Sequence, residues 1–518
     1  MNDSKLSKPA IVLYIFFELI FLSFICVVFA LPWSLNFYPM QYPFTVFSVL
    51  TTETEGNDAS TLLSAMLGFV IPGIAVWIFI NLILLLIWKY KNLNHRKIIS
   101  VSFYIKLFFC IIQFIIACIV LRVWNYPKII YQKLKEPEFS QFYDENYIDI
   151  SEVKIIPPEK KRNLIFIFME SMESSYTDIE HGGVFKENLI PNLTRLAEEN
   201  INFSETEKIG GAINLQSSSW TVSGLLSKLL AVPYYFPFSK SGSKLKQTFS
   251  VECLPSAVAL TDILTDFGYK CVFSMGSEKN FEYRDILLES HGYEIHDISW
   301  YKKNGFLCEN YKVFWGFEDL KLFEFAKKEL DTLSLGEQPF VYSLITVDTH
   351  FPSGFVCENC KNDFSSQMQN VIRCSDEQVY NFIRWIQNQS WYENTMIVIT
   401  GDHNYLDSPL NNFIRDECEL SYSEAVLKRR VLDIIINPYT DVLKSEQKFR
   451  RFSSFDFMPT ILELMGYKLS EDGLAFGRSL LGNSKTLVEL YDEEEMEKEI
   501  LRPTVQYEAL KRAKTEKN

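Results

Sequence analysis

The chain has 518 residues, is 47% hydrophobic and carries a net charge of −14. That length and apolar content can bury a large core. The acidic balance, with no basic stripe against it, excludes nucleic acid as a partner. In chain order, three apolar runs come first: Ala10 to Pro32, Met66 to Trp88 and Leu107 to Leu121. About 20 apolar residues span a bilayer core. Adding Ile98 to Lys106, with Lys106 reaching toward the interface, makes the third run long enough. Residues 1–124 therefore read as a membrane domain with three helices, at about 10–32, 66–88 and 98–121. A cleaved signal peptide explains one such run, not three. Lys5 and Lys8 precede the first run, and Lys89, Lys91, Arg96 and Lys97 separate the second from the third. The loop Trp33–Ala65 has no Lys or Arg. The positive-inside rule then places the N-terminus in the cytoplasm and everything after Trp124 outside. Glu18 lies within the first run, either as an intramembrane functional acid or close to the cytoplasmic boundary.

Residues 125–160 are polar and aromatic and end at Pro157-Pro158, a pattern expected of a linker along the membrane. From 161 to 484 apolar strands alternate with helical stretches. Strands are expected at Asn163–Met169, Tyr269–Met275, Phe340–Val347, Met396–Thr400 and Leu432–Asn437. Helices are expected at Ile190–Glu199, Thr221–Leu230, Ala257–Phe267, Asp376–Gln389 and Met458–Met465. Buried apolar strands joined by crossover helices predict an α/β domain, its central sheet mainly parallel with helices on both faces. Residues 485–518 are charge-rich and read as a solvated helix or disordered tail.

Candidate chemistry gathers where strands end, since ligands of open α/β sheets bind outside the carboxyl ends of the strands. Glu170 follows six apolar residues and is either a helix cap or a metal ligand. Asp402-His403 follows Ile397-Val-Ile-Thr-Gly401, and Gly401 permits close backbone approach. His350, in Asp348-Thr-His, suits a general acid or hydrogen-bond donor. Ser217-Ser-Ser-Trp-Thr221 opens a helix, where backbone N–H groups favour an anion and a serine could attack phosphorus; plain capping explains it as well. Arg284 could clamp a phosphate or simply form a surface ion pair. Seven cysteines lie beyond the apolar runs. Cys357 and Cys360, with Cys374, form the expected disulfide locus, and a single CxxC argues against zinc there.

Together these stretches resemble the sulfatase-like branch of the alkaline phosphatase superfamily. They are most similar to lipoteichoic acid synthases and to the phosphoglycerol transferases that modify periplasmic glucans. Met169-Glu-Ser171 and Gly401-Asp-His403 resemble the family's metal-ligand motifs. Thr346-Val-Asp-Thr-His350-Phe-Pro resembles the glucan-modifying enzymes, and Asp456-Phe-Met-Pro-Thr460 and Phe476-Gly-Arg-Ser-Leu480 the family's closing segments. The resemblance implies an alkaline phosphatase/sulfatase-like catalytic domain behind the membrane helices of a bacterial inner (cell) membrane protein, multi-pass, with that domain on the periplasmic side. It implies a divalent cation held by Glu170, Ser218, Asp402 and His403. Such a carboxylate-rich set favours manganese or magnesium, manganese first, with zinc sharing these ligand types.

Lipoteichoic acid synthases use a threonine nucleophile. Counting back from Pro233 without a gap puts that position on Ser218, with Thr221 three residues later. Ser218 and His350 are then the expected catalytic residues, and Arg284 and Thr221 the expected substrate contacts. Ser218-Ser-Trp-Thr-Val lacks the Pro and Arg of the formylglycine motif, which argues against sulfate-ester hydrolysis. The activity implied is transfer of glycerophosphate from phosphatidylglycerol to a glycan hydroxyl through a phospho-serine. The alternatives are phosphoethanolamine transfer to lipid A or another glycan, and a catalytically dead membrane-tethered sensor.

Overall fold

Every residue of Asn163–Met169 is buried, and its side chains alternate between two apolar layers. Leu164, Phe166 and Phe168 enter one, and Ile165, Ile167 and Met169 the other. A strand without a polar face must be covered on both sides, as in the interior of a parallel sheet. The structure, a computed structural model, describes residues 8–37, 66–91, 95–123, 140–234, 254–281, 284–351, 353–406, 413–500, 502 and 504–510. Its main sheet has seven strands: β1 Asn163–Met169, β2 Gly211–Ala212, β3 Lys270–Met275, β4 Glu294–His296, β5 Phe340–Ile345, β6 Thr395–Gly401 and β7 Val431–Ile436. Their order is β2-β7-β6-β1-β5-β3-β4. The five from β6 to β4 are parallel, whereas β7 and β2 add an antiparallel edge. The mainly parallel sheet expected from sequence is present, and the five predicted strands match within two residues at each end.

Both faces carry helices, again as expected. One layer contains Leu225, Leu226 and Leu229 with Ile461 and Leu462; the other contains Leu193, Leu322, Phe325, Ile372 and Phe382. Each such side chain, fully buried, stabilises the fold by about 1.5–3 kcal/mol relative to exposure. The helix predicted to begin at Asp376 starts nine residues earlier, at Gln367, because Met368, Val371 and Ile372 also pack inward. Cys360 and Cys374 form a disulfide within the expected locus, with the Cys357 sulfur 3.5 Å from that of Cys360.

Two expectations at the edges of this domain change. Residues 140–156 are not a membrane-surface linker. Phe142 and Tyr143 are buried, the Tyr143 ring meets Phe476 at 4.5 Å, and Ile155–Ile156 pairs with Lys468–Leu469. The rest of the predicted linker, 125–139, lies outside the described residues. The charged tail is likewise folded as far as 510. Leu487, Val488, Met496, Ile500 and Tyr507 join the layer that covers Leu164 and Phe168, because these apolar residues recur at helical spacing between the charges. Residues 511–518 lie outside the described part.

The chain divides into two units near Glu136. The N-terminal unit holds α1 (Lys8–Phe37), α2 (Ile71–Lys91) and α3 (His95–Val123). By length and composition Met66–Lys91 and Lys97–Ile115 can cross a membrane, while Tyr14–Ala30 is a shorter apolar stretch of α1. Lys106 does not reach outward as its position in a long apolar run suggested. It is fully buried, donates to Glu18 and donates to Asn81 Oδ1 at 2.8 Å. Trp77 Nε1 donates to Glu18 Oε2 at 3.0 Å. The latch ties all three helices together, since a charge in apolar surroundings must find a partner. Replacing Glu18 alone with Leu is expected to destabilise this unit by about 3–5 kcal/mol, the scale for stranding one member of a buried pair. Glu18→Leu with Lys106→Leu should recover most of that loss in detergent unfolding titrations.

Candidate active site

Three neighbouring strands end beside one another. β1 stops at Met169 and delivers Glu170. β6, its partner on one side, stops at Gly401 and delivers Asp402 and His403. β5, on the other side, continues into Thr346–His350. The ends are cross-braced. Glu170 N donates to Thr346 Oγ1 at 2.9 Å, and Thr349 Oγ1 donates to Glu170 O at 2.5 Å. Asp402 N donates to Met169 O at 3.1 Å. Asp402 Oδ1 accepts from Ser171 N and His403 N, both at 2.8 Å. Ser171 pays for this with a left-handed backbone, φ 53°, the kind of strain that collects at functional turns. Gly401 is obligatory in the same corner, because a Cβ there would lie 2.1 Å from Met172 O.

Glu170, Asp402 and His403 are all buried, and each offers a ligand atom within 4.8 Å of the others. His403 Nδ1 donates to Asn404 O at 2.7 Å, which leaves Nε2 as the ring atom turned toward the cluster. That nitrogen is 3.4 Å from Asp402 Oδ2 and 3.6 Å from Glu170 Oε1. Asp402 Oδ2 is buried without a hydrogen-bond partner. Two carboxylates and an inward imidazole nitrogen around an orphaned oxygen form the donor set of a divalent cation. The residues fit the ion the sequence led us to expect, apart from the fourth ligand.

That fourth position concerns the serine cluster. Gln216–Ser218 forms a single 3₁₀ turn, and α4 follows at Thr221–Leu230. Ser218 is fully buried, and its hydroxyl donates to Leu215 O at 3.2 Å. Thr221, the first residue of α4, is the hydroxyl that meets the cluster, with Oγ1 3.4 Å from His403 Nε2. One face of α4 is devoted to this corner. Thr221, Gly224 and Lys228 are spaced to lie on a single stripe. A Cβ on Gly224 would stand 2.2 Å from Asp402 O. Lys228, wholly buried, donates to that same oxygen at 2.7 Å and to Ser454 Oγ at 3.2 Å. Burial pushes its ammonium down to about 7, and the Asp402 charge opposes the drop. Sequence reasoning missed Gly224 and Lys228; the available signal was a lysine and a glycine at helical spacing from a helix-opening threonine.

The other expected residues sit as follows. His350 Nδ1 donates to Phe351 O at 2.9 Å, which leaves Nε2 as its second polar atom, and its ring lies 4.8 Å from that of Trp315. Asp348 is buried beside Asp319. Its Oδ1 accepts from Asp319 N at 3.2 Å, and Asp319 Oδ1 accepts from Val347 N at 2.7 Å. Burial raises both carboxyls, and the neighbouring Asp319 charge raises Asp348 further. Asp348 is thus an anchor for the His350 loop. Arg284 is buried and buttresses its own segment, donating to Ser277 Oγ at 2.9 Å and to Glu278 O and Phe281 O at 3.0 Å.

A mainly parallel sheet with a buried carboxylate–histidine cluster at its strand ends is an α/β architecture that carries a candidate metal centre. Residues 162–467 match the sulfatase family, and the chain belongs to that family. It is 29% identical over 352 residues to a phosphoglycerol transferase I of Escherichia coli strain 536, a match covering 67% of this chain and 41% of the relative. The phosphoglycerol transferase I of Escherichia coli strain E2348/69 matches at 28% over the same shares. The chain therefore spans about two fifths of the length of these relatives. Among solved structures, the lipoteichoic acid synthase LtaP of Listeria monocytogenes aligns at 18% identity and TM-score 0.47, over 63% of this chain and 77% of that one.

Proposed function

We propose that the protein is a membrane-anchored phosphotransferase of the phosphoglycerol transferase type, with Thr221 as its nucleophile. The observation that carries this is the 3.4 Å approach of the Thr221 hydroxyl to His403 Nε2 at the start of a helix. Glu170, Asp402 and His403 would hold a divalent cation, manganese or magnesium first by their chemistry. When bound, the cation would favour the alkoxide form of a neighbouring hydroxyl and offset charge on a phosphate ester. In the first half-reaction the Thr221 hydroxyl gives up its proton to water, and its oxygen attacks phosphorus of a glycerophospholipid. The bond from phosphorus to the diacylglycerol oxygen breaks, and that oxygen takes a proton. His350 is the candidate donor. Its Nδ1 proton is committed to Phe351 O, so the ring must arrive protonated at Nε2 to give one up. In the second half-reaction an acceptor hydroxyl passes its proton to His350 and attacks the same phosphorus, the bond from phosphorus to the Thr221 oxygen breaks, and Thr221 regains a proton from water. Backbone N–H groups at the start of α4 orient the phosphate oxygens throughout.

Phosphatidylglycerol as donor and a glycan hydroxyl as acceptor are the pair that the sequence resemblance implies, and the likeness to phosphoglycerol transferase I supports this reading. The apolar helices of the N-terminal unit suit a donor and a diacylglycerol product that both reside in a bilayer. The unit beyond Glu136 would then work on the extracytoplasmic side, as the charge distribution around the helices requires. Reconstitution in vesicles containing equal phosphatidylglycerol and phosphatidylethanolamine tests the assignment. Diacylglycerol should appear at the expense of phosphatidylglycerol. Consumption of phosphatidylethanolamine instead would move the chain to the phosphoethanolamine-transferring class.

A further inference from the structure

The helix Glu493–Ile500, here α5, lies beyond the residues that match the sulfatase family, yet it reaches the serine turn. Met496 and Ile500 are buried in the apolar layer and anchor it. Ser140 Oγ donates to Glu499 Oε2 at 2.7 Å, and Arg451 pairs with Glu493. Glu497 takes no part in those anchors. Its Oε1 accepts from Gln216 N at 2.6 Å, and the amide of Ser217 also binds the carboxylate. Its Oε2 and the Ser217 hydroxyl are both buried without hydrogen-bond partners. An acid buried this deeply is costly to keep charged. Burial accordingly pushes it up to about 7, against the pull of the two amides. Those amides belong to the 3₁₀ turn whose chain runs through Ser219 and Trp220 into Thr221. Trp220 N donates to Ser223 Oγ at 3.1 Å, so the entry to α4 is itself fixed.

We infer that Glu497 is a positioning residue for Thr221: its carboxylate clamps two consecutive amides of the Gln216–Ser218 turn and so sets where the helix-opening hydroxyl stands against His403. The inference rests on the function proposed above for Thr221. A clamp of this kind acts on turnover more than on donor affinity, because a small displacement of a reacting group costs rate.

The test uses the full chain in vesicles, with two readouts on Glu497→Ala and Glu497→Gln. Hydrogen exchange over residues 214–221 should quicken at the Gln216 and Ser217 amides by roughly tenfold or more in the alanine variant, the scale of one lost buried acceptor. Its kcat should fall by roughly 10–100-fold, with KM for the lipid changed by less than about threefold. Glutamine keeps an acceptor oxygen and should restore kcat to within about fivefold. Should the alanine variant not fold, Glu497→Asp, which draws the carboxylate back by one methylene, should show the same loss of kcat. Unchanged exchange and kcat in the alanine variant, or no rescue by glutamine, would overturn the assignment. If the wild type transfers nothing, the proposed function fails, whereas the exchange measurement still decides whether Glu497 holds the turn.

Discussion

Thr221→Ala is expected to remove transfer altogether, by about 10³-fold or more, while the protein keeps its fold and its lipid affinity. Loss of a nucleophile is among the largest single effects in catalysis, because the remaining groups have no covalent path to support. The substitution is mild structurally. Thr221 is the first residue of its helix, it is only partly buried, and alanine is a good helix former. Ser218→Ala supplies the contrast. Its hydroxyl donates to Leu215 O, so the variant should lose about 1 kcal/mol of stability and keep most of its activity. The outcome is read by headgroup release in vesicles alongside thermal unfolding. A Ser218→Ala enzyme that is dead while Thr221→Ala works would reverse the assignment of the hydroxyl.

Asp402→Asn should be nearly as damaging, by a different route. The asparagine is isosteric and can still accept from Ser171 N and His403 N through one oxygen, so the turn survives. What it lacks is the charge on the oxygen that is orphaned in the buried cluster. Added manganese at about 100 times its Kd should stabilise the wild type by about 2.7 kcal/mol, a rise of several degrees in Tm. Asp402→Asn should show little of that rise, and activity lower by about 10² or more. An equal manganese-induced shift in both proteins would place the cation elsewhere. Behind the cluster, the buried ammonium of Lys228 donates to Asp402 O.

The Glu170–Asp402–His403 cluster was legible in the sequence because its signal is local. An apolar strand that stops at an acid says both where the residue sits and which way it faces, and β1 and β6 proved adjacent. The hydroxyl was not legible to the same degree. Counting back from Pro233 fixes a distance along the chain but not where a helix begins, and the helix start is what aims Thr221 at His403. Asp348 stands two residues before His350, yet its carboxyl accepts from the backbone of Asp319 at the start of a helix; its sequence position could not reveal which neighbour claimed it. Hydropathy gave Lys106 a place in a long apolar run, whereas its pairing with Glu18 depends on how three helices pack. In the tail, charge density masked five buried apolar residues. Glu497 was hidden for the same reason, as one acid among many, until the fold brought it to a turn 281 residues away in sequence.

The central claim is that Thr221 becomes covalently phosphorylated during turnover. Peptide mass spectrometry of the protein, quenched in acid after brief exposure to phosphatidylglycerol vesicles without acceptor, tests it directly. A glycerophosphate adduct confined to Thr221 is the predicted result. The same adduct on Ser218, or no adduct on any hydroxyl of 217–221 while lipid is being consumed, would contradict it.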